Sequence, residues 1–216
     1  MAFNSEFKIQ IATGANSIAV QNFLREEFVS SSPLIEGFKN ANMYAELPKR
    51  DNSRLFGVIS EGLTLIATDC YEKIIGVIES QQYFVDKHEE IPDDIRTNRA
   101  FLQIYDVIDT IDSKISASTK EKCNKEVVIN VICVHKDWRR KGVGYALLEN
   151  LIDVVRQKRF NQIRAICISE YSTKLLINKG FESVCSIDYE EFRKQGRLDA
   201  VPPHPHSSVT GVILML

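Results

Sequence analysis

The chain has 216 residues, 44% hydrophobic and 26% charged, the balance of a soluble globular protein. A chain of this size buries a substantial core without disulfides or metal, and we read residues 1–216 as a single domain. A formal net charge of −2 and a pI near 6.1 give no general attraction to nucleic acid or anionic membrane.

The start has no basic segment followed by a long apolar run, so no secretory signal is expected. No apolar stretch approaches the ~18 residues that a membrane span needs. The cysteines Cys70, Cys123, Cys133, Cys167 and Cys185 are odd in number and form no Cys-x-x-Cys pair. That usage points to reduced, mostly buried thiols in a cytoplasmic protein.

In chain order, residues 7–12 read as a first strand. Asn16 is placed to cap a helix whose Ile18, Phe23, Leu24 and Phe28 share a face. Ser30-Ser31-Ser32-Pro33 ends it, because the residue before a proline avoids helical backbone. Residues 52–59 are expected as a second helix, closed by Gly62. Residues 63–68 and 74–80 form a hairpin turning on Asp69-Cys70-Tyr71-Glu72. Residues 92–115 read as helix and 116–125 as an exposed loop.

The second half carries stronger patterns. Residues 127–134 form a β-branched apolar run, the mark of a buried central strand. Residues 142–158 are an amphipathic helix, with Val143, Leu147, Leu148, Leu151, Val154 and Val155 on one face. A strand follows at 162–168, then a helix over 171–179 stopped by Gly180. Residues 184–189 read as strand, 196–205 as a proline-containing loop and 209–214 as a last strand. This alternation implies an α/β or α+β sheet with helices on its faces.

The chemistry is concentrated in Val134-His135-Lys136-Asp137-Trp138-Arg139-Arg140-Lys141-Gly142-Val143-Gly144-Tyr145. A buried strand feeds a short basic turn, and a helix begins at the glycines. Helix-start N–H groups and the helix dipole favour an anion there, and glycine lets it approach closely. A solvated basic turn would carry the same glycine pair. The P-loop spacing is absent, and the dinucleotide fingerprint lacks its third glycine.

Arg139-Arg140-Lys141-Gly142-Val143-Gly144 resembles the Q/R-x-x-G-x-G/A signature of the GNAT superfamily of N-acetyltransferases. Ser172-Thr173-Lys174-Leu175-Leu176-Ile177-Asn178-Lys179-Gly180-Phe181 resembles that family's following helix, which ends in Gly-Phe. Ser32-Pro33-Leu34, Glu170-Tyr171-Ser172 and the Pro203-His204-Pro205-His206 tail are similar to the insect arylalkylamine N-acetyltransferases, dopamine-acetylating enzymes included.

The resemblance implies a GNAT fold: a central, mixed, mostly antiparallel sheet of about seven strands, flanked by helices and splayed at the acetyl-CoA site. It implies acetyl-CoA held by Ile132, Cys133 and Val134 of the strand, by the turn Arg139, Arg140, Lys141, Gly142, Val143, Gly144 and Tyr145, and by Ser172 and Lys174 of the later helix. The implied acceptor is a small arylalkylamine of the dopamine, tyramine, octopamine and serotonin class, acetylated by direct attack. A monomer with no nucleic-acid, membrane or metal partner is expected.

An alkylammonium has a pKa near ~10.4, so on the order of one molecule in a thousand is neutral at pH 7. Transfer therefore needs a base, a polarised thioester carbonyl and a stabilised leaving thiolate. The resemblance implies a glutamate base directly before Pro-Leu, where this chain has Ser32. Serine cannot replace a carboxylate as base. Glu26, Glu27, Glu36 and His206 are the other candidates; the glutamates read first as solvated helix or loop charge, and His206 reads also as a loop histidine in a local hydrogen bond. Ser172 is a candidate proton donor to sulfur, or a helix cap, and Tyr171 an alternative acid or a core ring. Phe23, Phe28, Phe38, Met43, Tyr44 and Phe56 could wall a pocket or fill the core. Two other functions stay open: acylation of cationic aliphatic amines or use of longer acyl-CoA, and weak or non-catalytic acyl-CoA binding.

Overall fold

The structure, a computed structural model, describes residues 6–43, 59–83, 97–118 and 125–216. Among them seven strands form one sheet in the order β1-β2-β3-β4-β5-β7-β6. These are β1 Lys8–Ile11, β2 Leu65–Thr68, β3 Ile74–Tyr83, β4 Glu126–Val134, β5 Gln162–Cys167, β6 Glu182–Asp188 and β7 Ser208–Met215. Only β4 and β5 run parallel; every other pairing is antiparallel. The sheet is the expected mixed one, and the β2–β3 turn is the expected hairpin. Asp69 Oδ1 closes it by accepting the Tyr71 and Lys73 N–H groups at 2.9 Å each.

Helices cover both faces. On one face α1 is Ser17–Phe23, α2 is Pro33–Asn40 and α3 is Arg99–Ser118. On the other, α4 is Val143–Gln157 and α5 is Glu170–Ile177. A last short helix, α6 Tyr189–Lys194, joins the first group through buried Tyr189 and Phe192. Helix α4 buries Val143, Leu147, Leu148, Leu151, Ile152 and Val155 against β1 to β4. It sits so close to β3 that a Cβ on Gly76 would lie 2.9 Å from a Val143 methyl, so only glycine fits there. None of the described helices is long and apolar enough to cross a membrane.

Several local expectations are corrected. Ile18 is 75% exposed; the first helix buries Val20 in its place, along with the expected Phe23 and Leu24. Asn16 does not cap it with its side chain; its Oδ1 accepts from the Thr13 N–H at 2.9 Å. The helix continues past α1 as a π-helical stretch over Leu24–Val29. Pro33 ends that run and also starts α2, with Ser32 extended before it, because proline suits the first helical position. The aromatic residues do not make one wall. Phe23 packs under α1, Phe38 packs between α2 and α3, and Met43 is 52% exposed. The expected helix over 52–59 falls mostly outside the described residues, as do Tyr44, Phe56, Cys123 and residues 92–96 and 119–124. Ser116 belongs to α3 rather than to a loop. Tyr189 opens α6 rather than ending β6; its buried hydroxyl donates to the Ile168 carbonyl at 2.8 Å.

Candidate active site

The site begins where two parallel strands part. β4 and β5 pair from Glu126↔Gln162 to Ile129↔Ala165 and no further. β4 continues to Val134, paired on its other edge with β3 as far as Gly76. A register shift against β3 between Ile129 and Val131 leaves Asn130 as a bulge where the two strands part. Beyond it the β5-facing edge of β4 has no strand partner among the described residues, so its backbone groups are available to a ligand.

The edge leads into a short 3-10 turn, Lys136–Trp138, and then into α4. Gly142 is the N-cap at φ +82°, left-handed backbone that a β-branched residue resists. The first intrahelical bond runs from the Ala146 N–H to the Gly142 carbonyl at 2.9 Å. The N–H groups of Val143, Gly144 and Tyr145 therefore lie in the first turn, aimed outward at the positive end of the helix dipole. Val143 gives only its N–H to this end, since its side chain is core. A Cβ on Gly144 would lie 3.6 Å from both Leu175 of α5 and Val134 of β4. Gly144 thus marks the point where β4, α4 and α5 converge.

The basic residues of the turn differ in what they touch. Arg139 donates from Nε to the Val134 carbonyl at 3.1 Å and from Nη2 to Ser31 Oγ at 3.3 Å. Lys141 Nζ lies over the Trp138 ring at 4.9 Å, and Arg140 is exposed. Lys174 pairs with Glu170 at 3.1 Å, and Tyr145 lies under Lys179 Nζ at 3.5 Å. Of the expected strand residues, Ile132 and Val134 are half-buried, packed on the α4 face. Cys133 points to the α1 face, where burial pushes its thiol up to about 12, with Arg139 pulling down and Glu27 pushing up. Cys167 is likewise buried and pushed up to about 11 by desolvation, with the neighbouring Ser172 and Thr173 hydroxyls pulling down. Neither is an activated thiol.

At the start of α5, Ser169 is the cap, not Ser172: Ser169 Oγ accepts the Ser172 N–H at 3.0 Å. Ser172 Oγ donates to the Ser169 carbonyl at 2.9 Å. Tyr171 is 63% exposed rather than core, edge-on to His206 at 5.2 Å between ring centres. His206 Nδ1 accepts the Glu170 N–H at 3.1 Å. Burial lowers the His206 pKa, with Glu36 and Glu170 raising it and His204 lowering it. The imidazole is thus held neutral with its proton on Nε2. His204 and His206 line a cleft of about 410 Å³ with Asp188, Tyr189, Glu190 and Pro205.

Ser32 is 5% exposed and caps nothing with its side chain; its carbonyl accepts the Glu36 N–H at 2.9 Å. Glu27 is committed to the turn: Oε1 lies 3.4 Å from His135 Nε2, and Oε2 accepts the Lys136 N–H at 3.3 Å. This contact and the Arg139–Ser31 bond join residues more than a hundred positions apart, and no local pattern announces either. Among the described residues no three His, Cys, Asp or Glu side chains gather to hold a metal.

Residues 22–175 match the model of the Acetyltransferase (GNAT) family. The chain belongs to this family. A mosquito arylalkylamine N-acetyltransferase-like 5b superposes with a TM-score of 0.82 at 15% identity, over 97% of this chain and 100% of the other. Arylalkylamine N-acetyltransferase 2 from Aedes aegypti gives a TM-score of 0.80 at 17% identity, covering 97% and 98%. A Drosophila melanogaster polyamine N-acetyltransferase that forms N-acetylagmatine gives 0.73 at 17% identity, covering 98% and 100%. At these identities the likeness is one of fold. The GNAT parting of β4 from β5, expected from sequence, is present.

Proposed function

We propose that this GNAT protein transfers the acetyl group of acetyl-CoA to the primary amine of a small arylalkylamine of the dopamine, tyramine, octopamine and serotonin class. The observation that carries the cofactor half is the open β4 edge leading straight to the first turn of α4. An extended arm with amide groups suits the edge at Ile132 and Val134, and a pyrophosphate suits the N–H groups of Val143, Gly144 and Tyr145. Ser172 Oγ, at the start of α5, is the hydroxyl best suited to meet the leaving sulfur. The amine then attacks the thioester carbonyl directly; the C–S bond breaks, the thiolate takes a proton, and the amine loses one.

The chain's own candidates for receiving the amine proton are His206 and Glu36, directly or through water. His206 would have to release the Glu170 N–H from Nδ1 to act through that atom. Ser32 offers no basic group, so the reaction depends more on amine already neutral in solution.

A second reading, a cationic aliphatic acceptor, is supported by the Glu36 and Glu170 charges that act on His206 and by the fold shared with the polyamine enzyme. A panel of dopamine, tyramine, serotonin, agmatine and putrescine with acetyl-CoA, read by thiol release, separates the two. Turnover of the aromatic amines with higher kcat/KM than agmatine or putrescine supports the first reading. The reverse order replaces it with the second, and no turnover of any amine counts against both.

A further inference from the structure

The closed end of the β4–β5 pair holds a buried charge cluster that the proposed chemistry does not use. Its centre is Arg164 of β5, which is 1% exposed. Arg164 stands opposite Val128, one rung before the last pair, Ile129↔Ala165. Its Nη2 donates to Asp112 of α3, to Oδ1 at 2.7 Å and to the backbone carbonyl at 3.0 Å. Its Nη1 lies 3.7 Å from Glu126 Oε2 of β4. Glu126 Oε1 accepts from Gln162 Nε2 of β5 at 2.5 Å, directly across the parallel seam. Tyr83 of β3 lies across from Glu126 in the sheet; its ring centre is 4.2 Å from the guanidinium carbon, and its hydroxyl donates to Asp112 at 3.1 Å. Three neighbouring strands and α3 therefore meet at one guanidinium.

Stability alone is a weak reason for such a cluster. Desolvating several charges offsets much of their attraction, and apolar replacements of similar volume often do as well. Arg164 Nε also finds no hydrogen-bond acceptor among the described residues. The placement suggests a different task. The closed seam is only the stretch 126–129 against 162–165, and parallel pairing is slightly weaker per residue than antiparallel. Nothing in four rungs of backbone fixes where the strands begin to part. The cluster ties the first rung, Glu126↔Gln162, to Arg164, one rung before the last pair, and the Asn130 bulge bends β4 just after the parting point.

We propose that Arg164 is a positioning residue: with Asp112, Glu126, Gln162 and Tyr83 it fixes the vertex of the β4–β5 wedge, and so the placement of the acyl-CoA arm along β4. The proposal rests on reading that wedge as the acetyl-CoA site. Arg164 touches no substrate in this account. It acts through the strands, by setting the distance and angle between the β4 edge and α5.

Two variants test it. Arg164→Met leaves two carboxylates without their partner and can fail to fold. The triple variant Arg164→Met/Asp112→Asn/Glu126→Gln removes all three charges at nearly constant volume and keeps the test available. Hydrogen exchange and steady-state kinetics are measured on whichever variant folds. Amides of 127–129 and 163–165 should exchange ~10-fold or more faster than in the natural protein, with β6 and the β6-facing amides of β7 unchanged. The KM for acetyl-CoA should rise ~10-fold while that for the amine stays within about twofold. Unchanged exchange along β4 and β5 overturns the proposal. So does a fall in kcat with both KM values unchanged, which is what a smaller folded fraction would give. The exchange measurement needs no cofactor. If the natural protein binds no acetyl-CoA, the cofactor reading fails and exchange alone still judges the clamp.

Discussion

Residues 139–145 build the proposed anion-binding turn from one unbroken stretch of chain, whereas the groups around His206 are assembled from α2, α5 and the loop before β7. In the first region the important atoms are backbone: the amides of Val143, Gly144 and Tyr145, ordered by the helix they start. In the second they are side chains whose ionisation depends on their neighbours. Backbone sites tolerate much change in side chain so long as glycine stays where a Cβ would intrude. Side-chain sites can be rebuilt one residue at a time. Ser32 belongs to the second kind, sitting buried where the family resemblance implies a carboxylate.

The largest expected effect comes from restoring that carboxylate. Ser32→Glu should raise kcat/KM at pH 7 by about 10²-fold, since a positioned general base typically contributes ~10²–10⁴-fold. Burial at that position would hold the new carboxyl above the usual range, which favours a base near neutrality. The natural protein should instead gain rate steadily as pH rises and neutral amine accumulates. A natural protein already fast at pH 7, and slowed by Ser32→Glu, would mean that the second region has found another base.

A smaller effect is expected at His206. Its pKa is lowered chiefly by burial, so the fold favours the neutral ring. The stability it contributes is therefore present above the unfolded value near ~6.5 and is lost as pH falls through the lower folded value. Protonation also removes the acceptor that Nδ1 offers to the Glu170 N–H. His206→Gln should narrow the melting-temperature difference from the natural protein as pH drops from 7 to 5. A difference constant over that range would place no titrating group here. If His206 is the base, the rate profile carries an inflection below the ordinary imidazole range that His206→Gln abolishes.

The contrast also explains what could be read from sequence. The run 127–134, the helix beginning at Gly142 and the stop at Gly180 are set by local periodicity and backbone geometry, and each stands where expected. The second half of the sheet was legible for the same reason. Helix α2 is hidden in sequence because Pro33 signals a stop, yet proline serves equally as a first helical residue. Tyr189 reads as strand because an apolar ring suits both elements, whereas it opens α6. Glu27 looked like a spare carboxylate in sequence; only the fold brings it to His135 and Lys136. The Arg164 cluster is invisible for the same reason, since its members come from four separate elements, β3, β4, β5 and α3.

The central claim, that the β4 edge and the first turn of α4 bind acetyl-CoA, is tested most directly by calorimetric titration of acetyl-CoA into the natural protein, Gly144→Ala and Gly142→Val. The natural protein should bind and gain thermal stability by mass action. Gly144→Ala adds one methyl at ordinary contact distance from Leu175 and Val134, so it should melt near the natural protein yet bind ~10-fold more weakly. A Cβ at Gly142 meets no neighbour within 4 Å, but valine is strained at φ +82°, so Gly142→Val should lose about 1–3 kcal/mol of stability as well as affinity. Equal affinity in all three proteins would put the pyrophosphate elsewhere, and no binding to the natural protein at millimolar acetyl-CoA would contradict the claim outright.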